Sequence, residues 1–164
     1  MNEPLDFRLA AESDLPALEE IRRQAFAPVF DSFREILGET IYALAQEAED
    51  AQQGQVLVDL FSSESVWRVF VAEWAGRTVG FVSIRLDDAS KVGEIGLNAV
   101  DPSFAGRGIG TEMYRFATEK MRSAGMRVAT VATGGDPSHG PARRAYQKAG
   151  FNVEIPSVWM CREL

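Results

Sequence analysis

The stretch that decides the fold reads Leu97-Asn-Ala-Val-Asp-Pro-Ser-Phe-Ala-Gly-Arg-Gly-Ile-Gly-Thr111. Its apolar start closes a strand predicted over residues 92–100, and its glycine-rich end opens a helix predicted over residues 108–124. A further strand is predicted over residues 127–133. Because a strand, a crossover helix and a second strand form a unit with parallel strands, this region predicts an α/β sheet at the centre of the chain.

The N-terminal part predicts one strand followed by helices. Residues 5–10 alternate apolar and polar side chains, which favours a short strand. Apolar side chains at helical spacing follow over residues 13–26. Gly38 separates a turn predicted over residues 30–37 from a second helix, and Gly54 is predicted to end that helix. Two helices are therefore expected before the main run of strands.

Strands and one short helix surround the central unit. Residues 66–73 and 79–86 are joined by a Gly-Arg turn signal and predict an antiparallel hairpin. A glycine-rich loop after the central unit leads into a short helix over residues 141–149. Residues 151–155 and 157–163 are interpreted as two final strands. The predicted class is α/β (α+β), with a mixed, mostly antiparallel sheet, one parallel pair, and helices on both faces.

Size and charge restrict the class of protein. A length of 164 residues predicts one domain over residues 1–164. The net charge of −7 argues against nucleic-acid binding, and no apolar run approaches the roughly 20 residues of a membrane span. The single Cys161 cannot form an internal disulfide, and the start of the chain has no pattern of a signal peptide. We expect a cytoplasmic protein, and a monomer and a homodimer both fit the sequence.

Metal binding is not expected, because the one histidine, His139, has no clustered cysteines or carboxylates around it in the sequence. A role in lining a pocket or capping a helix is the preferred interpretation of this residue.

The loop Gly106-Arg-Gly-Ile-Gly-Thr111 has the composition of a site for a phosphate-type anion. Glycines let consecutive N–H groups converge on one point, and the N-terminus of the following helix carries about half a positive charge. The loop lacks the Gly-Lys-Ser/Thr of a Walker A motif, and Thr111 stands where the dinucleotide fingerprint has its third glycine. Taken alone, the same glycines are equally consistent with a purely structural turn.

Two motifs together resemble the GNAT superfamily of acyl-CoA N-acyltransferases. The first is the stretch over residues 97–111. The second, Pro141-Ala-Arg-Arg-Ala-Tyr-Gln-Lys-Ala-Gly-Phe151, is similar to the signature Ala-x-x-x-Tyr-x-Lys-x-Gly-Phe of that family. The resemblance implies the GNAT fold, in which the parallel pair is splayed; here these would be the strands ending at Val100 and near Thr133.

The function that this resemblance implies is transfer of an acetyl group from acetyl-CoA to a primary amine of a small molecule, peptide or protein, by direct attack through a tetrahedral intermediate. Tyr146 would give a proton to the departing thiolate, with core packing as the alternative. Glu94 is the candidate general base, with a solvated or paired carboxylate as the alternative. A backbone N–H near Ala99 or Val100 would stabilise the oxyanion. The implied acetyl-CoA contacts are Asn98, Ala99, Val100, Ala105, Gly106, Arg107, Gly108, Ile109, Gly110, Thr111, His139 and Arg143.

Two positions depart from the pattern of the family. Ala105 stands where Gln or Arg is usual, which removes a polar contact, and His139 stands where Asn is usual. Neither change affects backbone donors. Two other functions stay open on the sequence: a non-catalytic CoA-binding sensor or interaction domain, and a regulator that binds ATP or NAD.

Overall fold

The computed structural model describes residues 4–164, and its centre is a five-stranded sheet. β4 pairs with β5 in parallel, and all other neighbours pair antiparallel, so the mixed α/β class predicted from the sequence is confirmed. The strands, in the same order along the chain and across the sheet, are β1 (Leu5–Leu9), β2 (Trp67–Trp74), β3 (Arg77–Asp87), β4 (Val92–Val100) and β5 (Val128–Val131).

Helices cover both faces of the sheet. On one face α3 packs through a buried stripe that includes Met113 and Met121, and α4 adds Tyr146 to the same core. On the other face Leu18 of α1 and Leu57 of α2 pack against β2 and β3. The α-helices of the described residues are α1 (Leu15–Ala45), α2 (Glu47–Asp59), α3 (Ile109–Ser123) and α4 (Gly140–Lys148).

A β-bulge lies in the middle of β4, where the glycines and the asparagine in the sequence predict an irregular strand. Pairing with β3 passes from Val82–Asn98 to Ile84–Ile95, so Ser83 faces two residues of β4 instead of one. The Ser83 hydroxyl donates to the carbonyl of Leu97 at 2.9 Å. Because of the extra residue, Ile95 and Asn98 both face α3 and α4 although they are three positions apart.

The parallel pairing of β4 and β5 ends halfway along β4. It comprises four pairs, from Val92–Val128 to Ile95–Val131, whereas β4 continues to Val100. β5 is also shorter than the predicted strand over residues 127–133. Residues 96–100 therefore have no ladder partner on the β5 side, which is the opening expected of the splayed parallel pair.

The helical region before β2 differs from the sequence prediction in two places. Residues 30–37, predicted as a turn, belong to α1, which is interrupted only at Gly38 (φ 73°, ψ 167°). Gly54 does not end a helix, because α2 continues through it to Asp59. A Cβ at Gly54 would lie 3.2 Å from the Glu19 carboxylate of α1. This glycine therefore serves close packing of α1 against α2.

The two strands predicted over residues 151–155 and 157–163 are not formed. Residues 151–164 have no regular secondary structure, and every residue from 152 onward is exposed. Their apolar pattern is that of strands, but a strand also needs a neighbour to bond with, and this segment has none in the described chain.

Across residues 4–164, we find no helix with the length and apolar character that crossing a bilayer requires.

Candidate active site

The loop between β4 and α3 presents a row of unpaired backbone N–H groups. Gly106 and Gly108 have φ of 76° and 82°, in the left-handed region that glycine adopts without strain. The first N–H of α3 to find an acceptor is that of Glu112, which donates to the carbonyl of Gly108 at 3.1 Å. Within the described chain no acceptor takes the N–H groups of residues 106–111. Such a row at a helix N-terminus is suited to binding an anion.

The space in front of this loop is open. A Cβ placed on Gly106 or on Gly108 would meet no atom within 4 Å. The other side chains here turn inward: Ile109 is 1% exposed and Thr111 is 8% exposed. The loop therefore offers its backbone, and not these side chains, to a ligand.

Two guanidinium groups lie beside the loop. Arg107 is 5.2 Å from the ring centroids of both Trp74 and Phe104. Arg77 lies 4.9 Å from the ring of Phe104 and pairs with the carboxylate of Asp101 at 3.0 Å. Stacking on aromatic rings fixes both cations next to the row of N–H groups. Their charge adds to that of the helix N-terminus.

A short hydrogen-bond chain determines the direction of the Tyr146 hydroxyl. Asn98 Nδ2 lies 2.8 Å from the carbonyl oxygen of Gly96 and 3.0 Å from Tyr146 Oη, and Tyr114 Oη lies 2.8 Å from Asn98 Oδ1. A carbonyl only accepts, so the atom of Asn98 that faces Gly96 is the NH₂ group. Tyr114 then donates to Asn98, and Tyr146 accepts from it. The Tyr146 hydroxyl therefore keeps a proton that it does not donate to Asn98.

Tyr146 is 5% exposed, and its ring stacks on Tyr114 at a centroid distance of 4.1 Å. Burial raises the pKa of the Tyr146 hydroxyl, and the hydrogen bonds with Tyr114 and Asn98 oppose this only in part. Burial likewise raises the pKa of Tyr114 well above its ordinary value. Both phenols are therefore neutral at physiological pH.

Tyr114 is a residue of the site that the sequence did not single out. Its helical spacing could have indicated it, since Tyr114 shares a helix face with Gly110, Ala117 and Met121 at spacings of three and four residues. What the spacing does not show is that this face is directed at Asn98 and Tyr146.

Glu94 lies on the opposite face of the sheet from Tyr146. Its carboxylate pairs with Arg85, the residue directly across the ladder on β3, and Arg85 in turn lies 5.3 Å from the ring of Trp67. The Glu94 side chain is 35% exposed. The structure thus shows the paired carboxylate that was the alternative interpretation, on the face that α1 and α2 cover.

His139 and Arg143 contact the loop that precedes α4. His139 Nδ1 lies 2.5 Å from Asp136 Oδ1, and its ring stacks on Phe33 of α1 at 5.9 Å. Arg143 donates to the carbonyls of Gly134 and Asp136, the latter at 2.8 Å. Both side chains hold the loop in place, and their contacts with acetyl-CoA stay a prediction.

Asp136 is a second residue that the sequence did not single out. Ser32 of α1 donates to its Oδ2 at 3.0 Å, and the Ser138 hydroxyl and His139 contact it from the following turn. Burial alone would raise the pKa of this carboxyl, but the hydrogen bonds from Ser138, His139 and Ser32 outweigh it and lower the pKa to about 2.

No cluster of three or more His, Cys, Asp or Glu side chains suited to a metal ion occurs within residues 4–164.

Comparison with known proteins assigns the chain to a family of acetyltransferases. The chain belongs to the acetyltransferase (GNAT) family, which matches residues 29–151. The matched range contains the β4–α3 loop and Tyr146, whereas β1, the start of α1 and residues 152–164 lie outside it.

Two curated relatives are similar over 97 residues. Mycothiol acetyltransferase of Sanguibacter keddieii is 35% identical over 56% of this chain and 30% of its own length. An uncharacterized N-acetyltransferase of Methanocaldococcus jannaschii is 33% identical over 56% of this chain and 42% of its own length. The chain thus matches less than half of the length of either relative.

Solved structures support the fold over nearly the whole chain. A GNAT-family acetyltransferase from Brucella melitensis in complex with acetyl-CoA has a TM-score of 0.61 and 19% identity, covering 93% of this chain and 92% of its own. The aminoglycoside N-acetyltransferase AAC(6')-Iy in complex with CoA has a TM-score of 0.63 and 18% identity, covering 100% and 98%. At these identities the likeness concerns the fold alone.

Proposed function

We propose that the protein transfers the acetyl group of acetyl-CoA to a primary amine. The observation that carries this proposal is the row of unpaired N–H groups over residues 106–111, which fits the diphosphate of coenzyme A. Arg107 beside the loop adds positive charge. The polar backbone of residues 96–100, without a partner on the β5 side, can bond to the pantetheine arm.

A backbone N–H at the end of β4 activates the thioester in this proposal. The N–H of Asp101 donates to Val79 of β3 at 2.8 Å. Because N–H groups of an antiparallel strand alternate in direction, the N–H of Val100 points away from β3, into the opening. It can donate to the thioester oxygen as charge develops there, and a preorganised donor of this kind contributes about 3 kcal/mol to catalysis.

Proton transfers at the nitrogen and at the sulfur complete the reaction. The amine, which is protonated at neutral pH, first loses a proton to Glu94, directly or through a water. Its free nitrogen then attacks the thioester carbon, a C–N bond forms, and the second proton on the nitrogen leaves to solvent. The C–S bond then breaks, and Tyr146 gives its available proton to the leaving sulfur. Glu94 must first leave Arg85; a partly exposed ion pair contributes only about 0–1 kcal/mol, so its opening costs little.

The acceptor amine would approach from the face covered by α1 and α2, where Glu94 lies. The net charge of −7 favours a cationic amine over an anionic acceptor.

Binding and transfer are tested with one pair of glycine variants. Gly108 and Gly125 have nearly equal φ, 82° and 83°, and both would place a side chain in open space, at the two ends of α3. Replacement by Val strains either site to a similar extent, but only Gly108→Val fills the space before the N–H groups. We expect Gly108→Val to weaken CoA binding at least tenfold in calorimetry, and Gly125→Val to leave it unchanged.

Thiol release from acetyl-CoA with a panel of amines then separates the alternatives. Release that depends on an amine supports the transferase. CoA binding without release with any amine would indicate the sensor or interaction domain. Binding of ATP or NAD in place of CoA would indicate the nucleotide-dependent regulator, and the proposal would be wrong.

A further inference from the structure

α1 crosses the mouth of the opening beside β4. Near the start of the helix, Ile21 lines the same surface groove as Asp101, the residue that follows β4. Further along the helix, Ser32 donates to Asp136 in the loop that follows β5. The part of α1 over residues 22–31 therefore spans the gap between the ends of the two strands.

A row of phenylalanines runs along one face of this part of α1. Phe26, Phe30 and Phe33 are spaced four and three residues apart, so they share a helix face. The ring centroids of Phe26 and Phe30 lie 6.0 Å apart in an edge arrangement. Phe26 packs into the cluster that covers the sheet, and Phe33 stacks on His139 at 5.9 Å. These contacts direct the row of rings toward β4 and toward the loop before α4.

Two rings of this row retain apolar surface that no core residue covers. Phe30 and Phe33 are partly buried, yet they pack against neither of the two core clusters that the described residues form. Aromatic rings pair edge-on or offset at centroid distances of about 4.5–7 Å, and the burial of such a ring stabilises a complex. The uncovered surface is therefore suited to a flat apolar group.

The sheet supplies an apolar floor below these rings. Leu97 and Ala99 of β4, together with Trp67 at the start of β2, belong to the same cluster as Phe26. Ala99 directly precedes Val100, whose N–H points into the opening and would bind the thioester oxygen. A group held between the rings of α1 and this floor would therefore place an attached amine beside the thioester.

We propose that the acceptor is a primary amine joined by a short chain to an aromatic ring, and that this ring binds against Phe30 and Phe33. The inference names the substrate class of the proposed acetyl transfer and rests on that function. A polyamine or an amino sugar would place further ammonium or hydroxyl groups against side chains that offer no hydrogen-bond partner, and such burial is unfavourable.

A panel of amines tests the substrate class. Calorimetry on the protein saturated with CoA compares the affinities of phenethylamine, cyclohexylethylamine, spermidine and glucosamine, and thiol release from acetyl-CoA gives kcat/KM for each amine. We expect phenethylamine to bind at least about tenfold more tightly than spermidine or glucosamine, because only its ring buries apolar surface against Phe30 and Phe33. Cyclohexylethylamine has a ring that is not flat, so it should bind more weakly than phenethylamine.

Variants on α1 test the position of the ring. Phe30→Ala should lower kcat/KM for phenethylamine about tenfold and leave KM for acetyl-CoA unchanged, because it removes one of the two rings. Phe30→Tyr keeps the ring and should retain the activity within about threefold. The control is Ile36→Ala, which removes an apolar side chain that is 61% exposed on the same helix and should have no effect. Melting temperatures confirm that each variant is folded.

The outcomes separate this inference from the proposed function. If spermidine, glucosamine or cyclohexylethylamine binds and reacts as well as phenethylamine, the aromatic acceptor is wrong while acetyl transfer to an amine stands. Equal losses in Phe30→Ala and Ile36→Ala would likewise overturn the site on α1. Absence of thiol release with every amine would overturn the proposed function, and the aromatic acceptor with it.

Discussion

At the scale of single residues, the two stacked tyrosines differ in where their hydroxyl protons go. Both are buried and both bond to Asn98, but Tyr114 donates to it whereas Tyr146 accepts from it. Only Tyr146 therefore keeps a proton that it does not donate to Asn98. In the proposed reaction Tyr114 is a positioning residue, since its bond fixes the orientation of the amide.

This difference gives a prediction with a built-in control. Tyr146→Phe should lower kcat by about 10²–10⁴-fold, the contribution of a general acid, with little change in KM for acetyl-CoA. Tyr114→Phe removes the same atom from the same network but leaves the proton donor, so we expect less than a tenfold loss. Steady-state kinetics of both variants, with melting temperatures to confirm folding, provide the measurement. Equal losses in the two variants would contradict the assignment.

The sequence motifs predict only some of the residues in this site. The position of Tyr146 within its helix motif predicts a role, and the glycines of residues 106–110 predict the anion loop. Tyr114 and Asp136 were not predicted, because their importance comes from side chains that are distant along the chain. Local spacing indicates which residues share a face but not what that face contacts.

At the scale of elements, the bulge in β4 sets which side chains face the site. Glycines within the strand predict an irregularity, and the structure confirms it between Val82 and Ile84 of the partner strand. A Cβ on Gly96 would lie 2.5 Å from the ring of Trp67 and 2.8 Å from Ser83 Oγ. A larger residue has no room at this position.

Gly96→Ala should therefore destabilise the fold by about 1–3 kcal/mol, the usual cost of overpacking. Gly135→Ala is the control, because its Cβ would meet nothing within 4 Å and its φ is not positive. We expect the control to change stability by less than about 0.5 kcal/mol. Urea unfolding followed by circular dichroism measures both. A loss of stability in Gly135→Ala as large as in Gly96→Ala would count against this explanation.

The sequence prediction differs from the structure at residues 30–37, at Gly54 and over residues 151–163. The strand–helix–strand unit of β4, α3 and β5 carries its own pattern and was predicted closely. Residues 157–163 have an equally apolar pattern, but no strand of the described chain pairs with them. The sequence predicts a helix end at Gly54, because spacing along the chain does not reveal that α1 packs against this residue.

At the scale of the whole molecule, Asp136 joins parts that are far apart in sequence. Its carboxylate accepts a hydrogen bond from Ser32 on α1, and the same carboxylate holds the turn that leads into α4. The layer of helices on one face is thus tied to the start of the helix that carries Tyr146.

The low pKa of Asp136 predicts how this junction responds to acid. Its pKa of about 2 in the folded protein is below the ordinary value of 3.8, so ionisation favours folding. The contribution, about 2 kcal/mol, is complete above pH 4 and is lost as the pH falls from about 4 to about 2. Asp136→Asn should lower the free energy of unfolding at pH 7 by about this amount, and the difference from wild type should shrink towards pH 2.

Urea unfolding at several pH values measures this effect. Asp31→Asn serves as the control, because its side chain is 72% exposed and pairs only loosely with Arg34 at 3.6 Å. A difference between wild type and Asp136→Asn that does not depend on pH would show that the carboxylate is not the source of the stability.

The extra residue in β4 also has a consequence for the direction of proton flow. In a strand with strict alternation, the side chains of residues 94 and 98 would lie on the same face of the sheet. The extra residue of the bulge places Glu94 on one face and Asn98, which bonds to Tyr146, on the other. In the proposed reaction, the proton that Glu94 takes from the amine and the proton that Tyr146 gives to the sulfur therefore move on opposite faces of the sheet. Deletion of Gly96 or Leu97, the two residues opposite Ser83, would bring both groups to one face.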